Sequence, residues 1–241
     1  DTVNFYDRDG FELHQFVVGS SFGSILMNLS PVNCAALHIH SKESGVGKTT
    51  AMSAGVSVWG RPEDLVLNQH DTFNIKMHRG EIYHNLPLYM DELTNSSPNE
   101  LSNLAYQLTG GRQRGRMTSG GNAERYRGDA WKLLSVTTGN TSIIERISMA
   151  KAMPKAEAQR ILEVKVDRLF NEAEDKEQQD NFSAALNNYY GTAGKEYVQY
   201  VITNLDAVKK LIEDVRVKVD TAAGLTSENR FWSAFTTNTI A

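Results

Sequence analysis

The chain has a single cysteine, Cys34, among 241 residues. One thiol rules out an internal disulfide framework and fits a reducing compartment. Cys34 stands just before an apolar run and reads as a small buried packing residue. Long apolar runs are also missing. None approaches the roughly 20 residues that cross a bilayer, so no membrane partner is expected. No leader segment is expected, and the opening on Asp1 rather than Met reads as that of an excised or processed piece. No internal repeat or low-complexity tract stands out. The expected location is the cytoplasm, or the host cytoplasm if the chain is phage-encoded.

What remains is ordinary globular material, 40% hydrophobic and 22% charged, enough for one large domain with or without an appendage. The net charge of −4 hides a split. Residues 101–168 carry twelve Lys/Arg against six Asp/Glu, and the remainder thirteen against twenty-three. That local basic excess bears on nucleic-acid binding more than the whole-chain balance does.

Three segments carry chemistry. Ser44-Gly45-Val46-Gly47-Lys48-Thr49-Thr50 follows the apolar run 35–39 and precedes a helical pattern. A strand, a glycine loop and Lys-Thr opening a helix turn backbone N–H groups around phosphate oxygens. The lysine then reaches the outer phosphates and the first threonine ligates Mg²⁺. The usual leading glycine of such loops is here Lys42.

Leu86 to Leu93 is a mostly apolar strand ending in Asp91-Glu92. After a phosphate loop, such a pair supplies a carboxylate for the Mg²⁺ shell (Asp91) and one that polarises the attacking water (Glu92). Trp131 to Asn140 is a β-former-rich strand with a polar tip. Asn140, with Thr138 as second choice, is placed to hold water near the outer phosphate. His38 and His40 have no cysteine or carboxylate cluster beside them, so packing or exposure is expected of them rather than a metal.

Periodicity predicts a helix or helical pair over 11–29 lying above the nucleotide, a strand over 35–40 and a helix over 48–59. A short strand or turn is expected near 66–72, a helix over 74–85 and a strand over 86–90. Ser97-Pro98 starts a helix that stops at Gly110-Gly111. The glycine- and arginine-rich stretch from Gly110 to Trp131 reads as a hairpin with Arg112, Arg114 and Arg116 on one face. Joined by Lys132 or Arg125, with Tyr126 or Met117 touching bases, these arginines would track a phosphate backbone. Ser142–Met153 is a helix candidate, 161–166 a strand, and 173–190 and 196–219 helices, with a last helix from about 225.

This alternation predicts an α/β fold, a P-loop NTPase with helices on both faces of its sheet and a C-terminal helical appendage. Residues 1–168 would be the ATPase core and 169–241 the appendage.

The Ser44–Ala51 loop, Ser57-Val58-Trp59-Gly60 and Asp91-Glu92-Leu93 resemble the family known as DUF family 927, the ATPase part of phage and mobile-element primase–helicases. The Gly-Arg stretch, the Trp131 strand and Glu228-Asn229-Arg230-Phe231-Trp232 share the likeness. It implies an AAA+-like ring ATPase related to viral superfamily 3 helicases, hexameric, using ATP and Mg²⁺ and acting on single-stranded DNA, with a primase module in the same polypeptide. A ring ATPase needs an arginine from the neighbouring subunit. Arg160, just before the 161–166 strand, is the first candidate and Arg146 its competitor, with Arg230 a sensor within its own subunit. The expected activity is a Mg²⁺-ATP-dependent DNA helicase or translocase. A DNA-bound loader or switch that does not unwind is the alternative, and a small-molecule kinase the weakest reading.

Overall fold

A computed structural model describes residues 3–93, 96–121, 123–126, 128–166 and 176–241. A 3-10 turn over Val3–Tyr6 precedes α1 (Glu12–Gly23), and a second, Ile25–Leu29, leads to β1 (Cys34–His40). Then come α2 (Lys48–Ser57), α3 (Pro62–Leu65), α4 (Phe73–Tyr83), β2 (Leu88–Met90) and α5 (Pro98–Gly110). The short strands β3 (Arg116–Met117) and β4 (Glu124–Arg125) are followed by β5 (Leu133–Gly139), α6 (Ile143–Ser148), α7 (Lys155–Ala158) and β6 (Ile161–Lys165). α8 (Lys176–Asn188), α9 (Thr192–Thr203), α10 (Leu205–Ala223) and α11 (Arg230–Ile240) close the chain.

β2, β5, β1 and β6 form a parallel sheet in that order. β1 and β5 are almost wholly buried, so a polar residue such as Ser135 of β5 is satisfied internally, donating to Leu88 O. A parallel strand covered on both faces has no solvent side on which to alternate. Ala35, Leu37 and Ile39 face a core shared with Val17 of α1, Met52 of α2 and Phe235 of α11. Cys34 and Ala36 face the other way, toward Met77 of α4, Leu104 of α5 and Ile147 of α6. Helices therefore cover both faces. Cys34 is fully buried, and burial pushes its thiol pKa up.

Register decides where the strand tips end. Met90 of β2 and His38 of β1 both stand beside Thr137 of β5. Asp91 and Glu92 thus emerge level with Thr138, and the loop after His40 leaves level with Gly139.

Several expected boundaries move. β2 is short because Pro87 has no N–H for a ladder and the Leu86 N–H turns back to Tyr83 O. The expected 142–153 helix is two helices. The N–H groups of Met149 and Ala150 bond three residues back, tightening the end of α6, and Pro154 N-caps α7. The expected 196–219 helix begins earlier and breaks at Asn204, whose side-chain amide donates to Tyr200 O. The boundary at 168/169 and the first residues of the expected 173–190 helix lie outside the described residues. Within 169–241, α11 packs on α1, β1 and β6, while α9 and α10 present much of their surface to solvent. No helix among the described residues is long and apolar enough to cross a membrane.

Candidate functional site

The loop between β1 and α2 bends at Gly45 (φ 76°) and Gly47 (φ 86°), a region side chains avoid. A Cβ on Gly45 would meet nothing within 4 Å, so open space surrounds the loop there. Outside glycine, positive φ among the described residues occurs at His84 and Glu92. Lys42 therefore needs no glycine, which accounts for the departure in the motif. Val46 turns its side chain into the core and anchors the loop, while Ser44, Gly45 and Thr49 are exposed and Thr50 is half-buried.

Lys48 opens α2 and bends its ammonium back over the loop, donating to Ser41 O (3.3 Å) and Glu43 O (3.2 Å). Partial burial pushes its pKa down, opposed by the charges of Glu92 and Asp91. Thr49 Oγ1 donates to Asp91 Oδ2 at 3.2 Å. The other oxygen, Asp91 Oδ1, accepts from the Thr138 hydroxyl and from the Glu92 N–H (3.0 Å). Glu92 has φ 54°, a conformation costing a non-glycine residue on the order of 1–3 kcal/mol. Its backbone N–H is also within 3.3 Å of Thr138 Oγ1. Asn140 Nδ2 donates to the Glu92 carboxylate, at Oε1, over 3.1 Å. Lys48, Thr49, Asp91, Glu92, Thr138 and Asn140 thus converge at one end of the sheet.

A hydroxyl and a carboxylate that meet beside a glycine loop open to solvent fit a Mg²⁺ ion and phosphate oxygens. Among the described residues no group of three His, Cys, Asp or Glu is arranged around a metal. A Mg²⁺ ion held with substrate phosphates needs no such cage.

Two supporting residues, Glu163 and His14, were given no role from the sequence, and His38 was expected only to pack or to be exposed. Glu163 of β6 accepts from the N–H groups of Ile143 (2.7 Å) and Ile144 (3.2 Å) and from Ser142 Oγ (2.6 Å). It caps α6 from a neighbouring element and so fixes the chain just after Asn140. A lone carboxylate inside the apolar run Ile161–Lys165 was the available signal. His38 is buried, with Nδ1 2.9 Å from Thr137 Oγ1 and Nε2 3.0 Å from Thr141 O. Burial drives its pKa down to about 4, with the His40 and Lys48 charges adding to the fall. His14 of α1 lies against the loop, Nε2 3.3 Å from Val46 O.

The arginines make their contacts elsewhere. Arg160 donates to Ala156 O (2.7 Å) and lies over the rings of Tyr106 (4.5 Å) and Phe231 (5.5 Å). Arg146 donates to Ser96 O (3.0 Å), and exposed Arg230 lies over Phe231. In the Gly-Arg stretch the ladder is two residues long, pairing Arg116 with Arg125 and Met117 with Glu124. Arg112 and Arg114 precede it, so the three arginines do not share a strand face. Glycines at 110, 111 and 115 withhold side chains and stiffness from this stretch, and alternation alone does not make a strand. Arg114 donates to Asn103 of α5 (3.2 Å) and Arg116 to Asn74 of α4 (2.9 Å). Lys132 does not join them, because its ammonium donates to Ser30 O. Tyr126 is 79% and Met117 59% exposed. This basic hairpin leaves α5 and enters β5 at the end of the sheet opposite Asp91 and Asn140.

Comparison with known families adds a match. The model for a domain of unknown function, DUF927, matches residues 9–128. Residues 9–128 carry a DUF927 domain. The DUF927 match takes in α1, the phosphate-type loop, both acids and the hairpin, and stops before Asn140 and α11. Among solved structures, one described as SCCmec type IV Cch, an active helicase, superposes with a TM-score of 0.72 at 18% identity. The alignment covers 99% of this chain and 44% of that one, so this chain spans less than half of that protein's length. At such identity the likeness is one of fold, a mixed α/β domain with a parallel central sheet. No curated protein matches.

Proposed function

We propose that this chain is the ATPase part of a ring-forming DNA helicase or translocase from a phage or mobile element. One observation carries the reading: three adjacent strand ends bring Lys48, the Thr49–Asp91–Thr138 contact and the Glu92–Asn140 pair together. The position of β5 between β1 and β2 supports a P-loop, AAA+-like core, since it puts a polar tip between loop and acids. The DUF927 match and the fold shared with a mobile-element helicase support the wider role.

In this reading the loop N–H groups and Lys48 bind the triphosphate of ATP. Thr49 and Asp91 would hold Mg²⁺, which supplies charge to offset the phosphates. Thr138 fixes the orientation of the Asp91 carboxylate. Glu92 accepts a proton from the attacking water, and Asn140 holds that carboxylate and orients the water. An arginine of a neighbouring subunit completes the site. Arg160 is the candidate, which requires its guanidinium to leave the Tyr106 and Phe231 rings; Arg146 and Arg230 are the alternatives. Arg112, Arg114, Arg116 and Arg125 would contact the phosphates of single-stranded DNA, with Tyr126 offering an exposed ring to a base.

The test is ATP hydrolysis with and without single-stranded DNA across protein concentration. Rates rising with both are expected. A rate indifferent to DNA and to concentration would remove the ring motor. Hydrolysis without strand displacement on a forked duplex would move the assignment to a loader or switch.

A further inference from the structure

We propose that His14 is a positioning residue of the phosphate loop: from α1 it holds the Val46 carbonyl toward the interior and thereby aims the Gly47 N–H to the opposite side, into the phosphate cradle. This rests on the reading of that loop as a phosphate site. Val46 lies between two glycines of positive φ. Glycine neighbours leave a peptide plane cheap to rotate, so the loop by itself does not specify which way the 46–47 peptide faces. In a trans peptide the C=O and N–H point to opposite sides. Fixing the oxygen on one side therefore fixes the hydrogen on the other.

His14 Nε2 is 3.3 Å from Val46 O, and both residues are almost fully buried, at 3% and 1% exposure. Burial pushes the imidazole pKa down, so at neutral pH the ring is uncharged and its Nε2–H donates to the carbonyl.

The donor is itself immobilised. The His14 ring packs against those of Tyr6 and Phe11, each at 5.2 Å. Phe5 stacks on Phe182 of α8 at 4.2 Å and extends the cluster to a third element. Farther along α1, Ser21 donates to Gly55 O of α2, and Trp59 Nε1 donates to Ser21 O (3.1 Å). α1 is thus fastened to the helix that the loop opens, and His14 cannot drift relative to the loop without disturbing both. Leu13, His14 and Val17 also line the small hollow that lies under Lys48 and Ala51. The reading explains why a histidine is placed among aromatic rings where a third apolar group would pack as well.

The experiment measures ATP and ADP binding, and steady-state ATP hydrolysis, for His14→Phe, His14→Leu and His14→Gln beside Lys48→Ala. The two apolar replacements keep bulk and lose the donor. Each should weaken ATP and ADP alike by about tenfold, the size of one missing hydrogen bond, and raise KM in proportion while kcat stays within about twofold. His14→Gln keeps a side-chain N–H and should recover most of the affinity. Either apolar variant suffices if the other fails to fold. Parental affinity in them, with Lys48→Ala defective, overturns the role of His14 and leaves the phosphate loop standing. Equal weakening in His14→Gln and His14→Phe would show that packing, not the donor, matters, and also overturns it. Normal binding in Lys48→Ala would bring down the phosphate reading itself.

Discussion

The two ends of the sheet are built on opposite plans. At the carboxyl ends of β1, β2 and β5, the polar side chains of the site are partnered across strands and loops. Asp91 is held by Thr49, Thr138 and a backbone N–H, and Glu92 by Asn140. The supports behind them, Glu163, His38 and His14, are themselves bonded and mostly buried. The hairpin, whose chain leaves α5 and enters β5 at the other end, has a two-residue ladder and exposed arginines, tied back through Asn74 and Asn103. A pair of two-residue strands has little stability of its own. One end is arranged to hold groups in a fixed geometry, as electrostatic stabilisation of a reacting phosphate requires. The other is a charged, weakly laddered surface, which in the proposed function would follow a phosphate backbone.

The sharpest test of the rigid end is Glu92→Gln. It keeps shape and removes the proton acceptor, so turnover should fall by about 100- to 10,000-fold with ATP still bound. Hydrolysis near the parental rate would mean that Glu92 is not the base. Lys48→Ala comes next and should weaken ATP by about 100-fold, since it removes a charge-assisted hydrogen bond to phosphate. Isothermal titration or a fluorescent analogue reads both.

The hairpin should respond differently. Arg112→Gln, Arg114→Gln and Arg116→Gln combined should leave ATP affinity unchanged and reduce single-stranded DNA binding most at low salt. Removing one arginine–phosphate pair flattens the plot of log affinity against log salt by roughly 0.7. A parental slope would remove these arginines from the interface. A matching fall in ATP affinity would show that the two ends are not separable.

What was legible in the sequence follows the range of the interactions. Ser97-Pro98 with Glu100 is a capping box, with the Ser97 N–H to Glu100 Oε2 at 2.9 Å and the Glu100 N–H to Ser97 Oγ at 3.3 Å. Both partners lie within four residues, so local reasoning finds them. The stop at Gly111 is equally local, with φ 71° and no room for a Cβ beside Asn33 and Trp131 O. The loop and the acid pair are legible because each is a short motif at a strand end. Their convergence was an inference from topology, and sheet register is what realises it. Glu163 and His14 were not legible, because their partners lie about 20 and 32 residues away in sequence. The arginine row is not seen as a strand face for the same reason: alternation is local, whereas a strand needs a partner, and among the described residues the ladder begins at Arg116.

The last test concerns His38, and it asks whether this buried ring behind the site stays uncharged. In the neutral ring Nε2–H donates to Thr141 O, and Nδ1 is left to accept from the Thr137 hydroxyl. Protonation would bury a cation there, close to His40 and Lys48. The folded pKa of about 4 lies below the ordinary histidine value near 6.5. Above pH 6.5 the ring is neutral folded and unfolded, and stability is independent of it. As pH falls from 6.5 toward 4 the unfolded chain takes up a proton that the folded chain refuses. Stability therefore declines through that window, by about 3 kcal/mol from this group, and levels off below it. His38→Asn should remove this component, so that parent and variant show parallel urea denaturation midpoints above pH 7 and diverge between pH 6 and pH 4. Curves that stay parallel down to pH 4 would mean that the ring accepts its proton in place, and that the end of the sheet carrying the site tolerates charge as readily as the hairpin does.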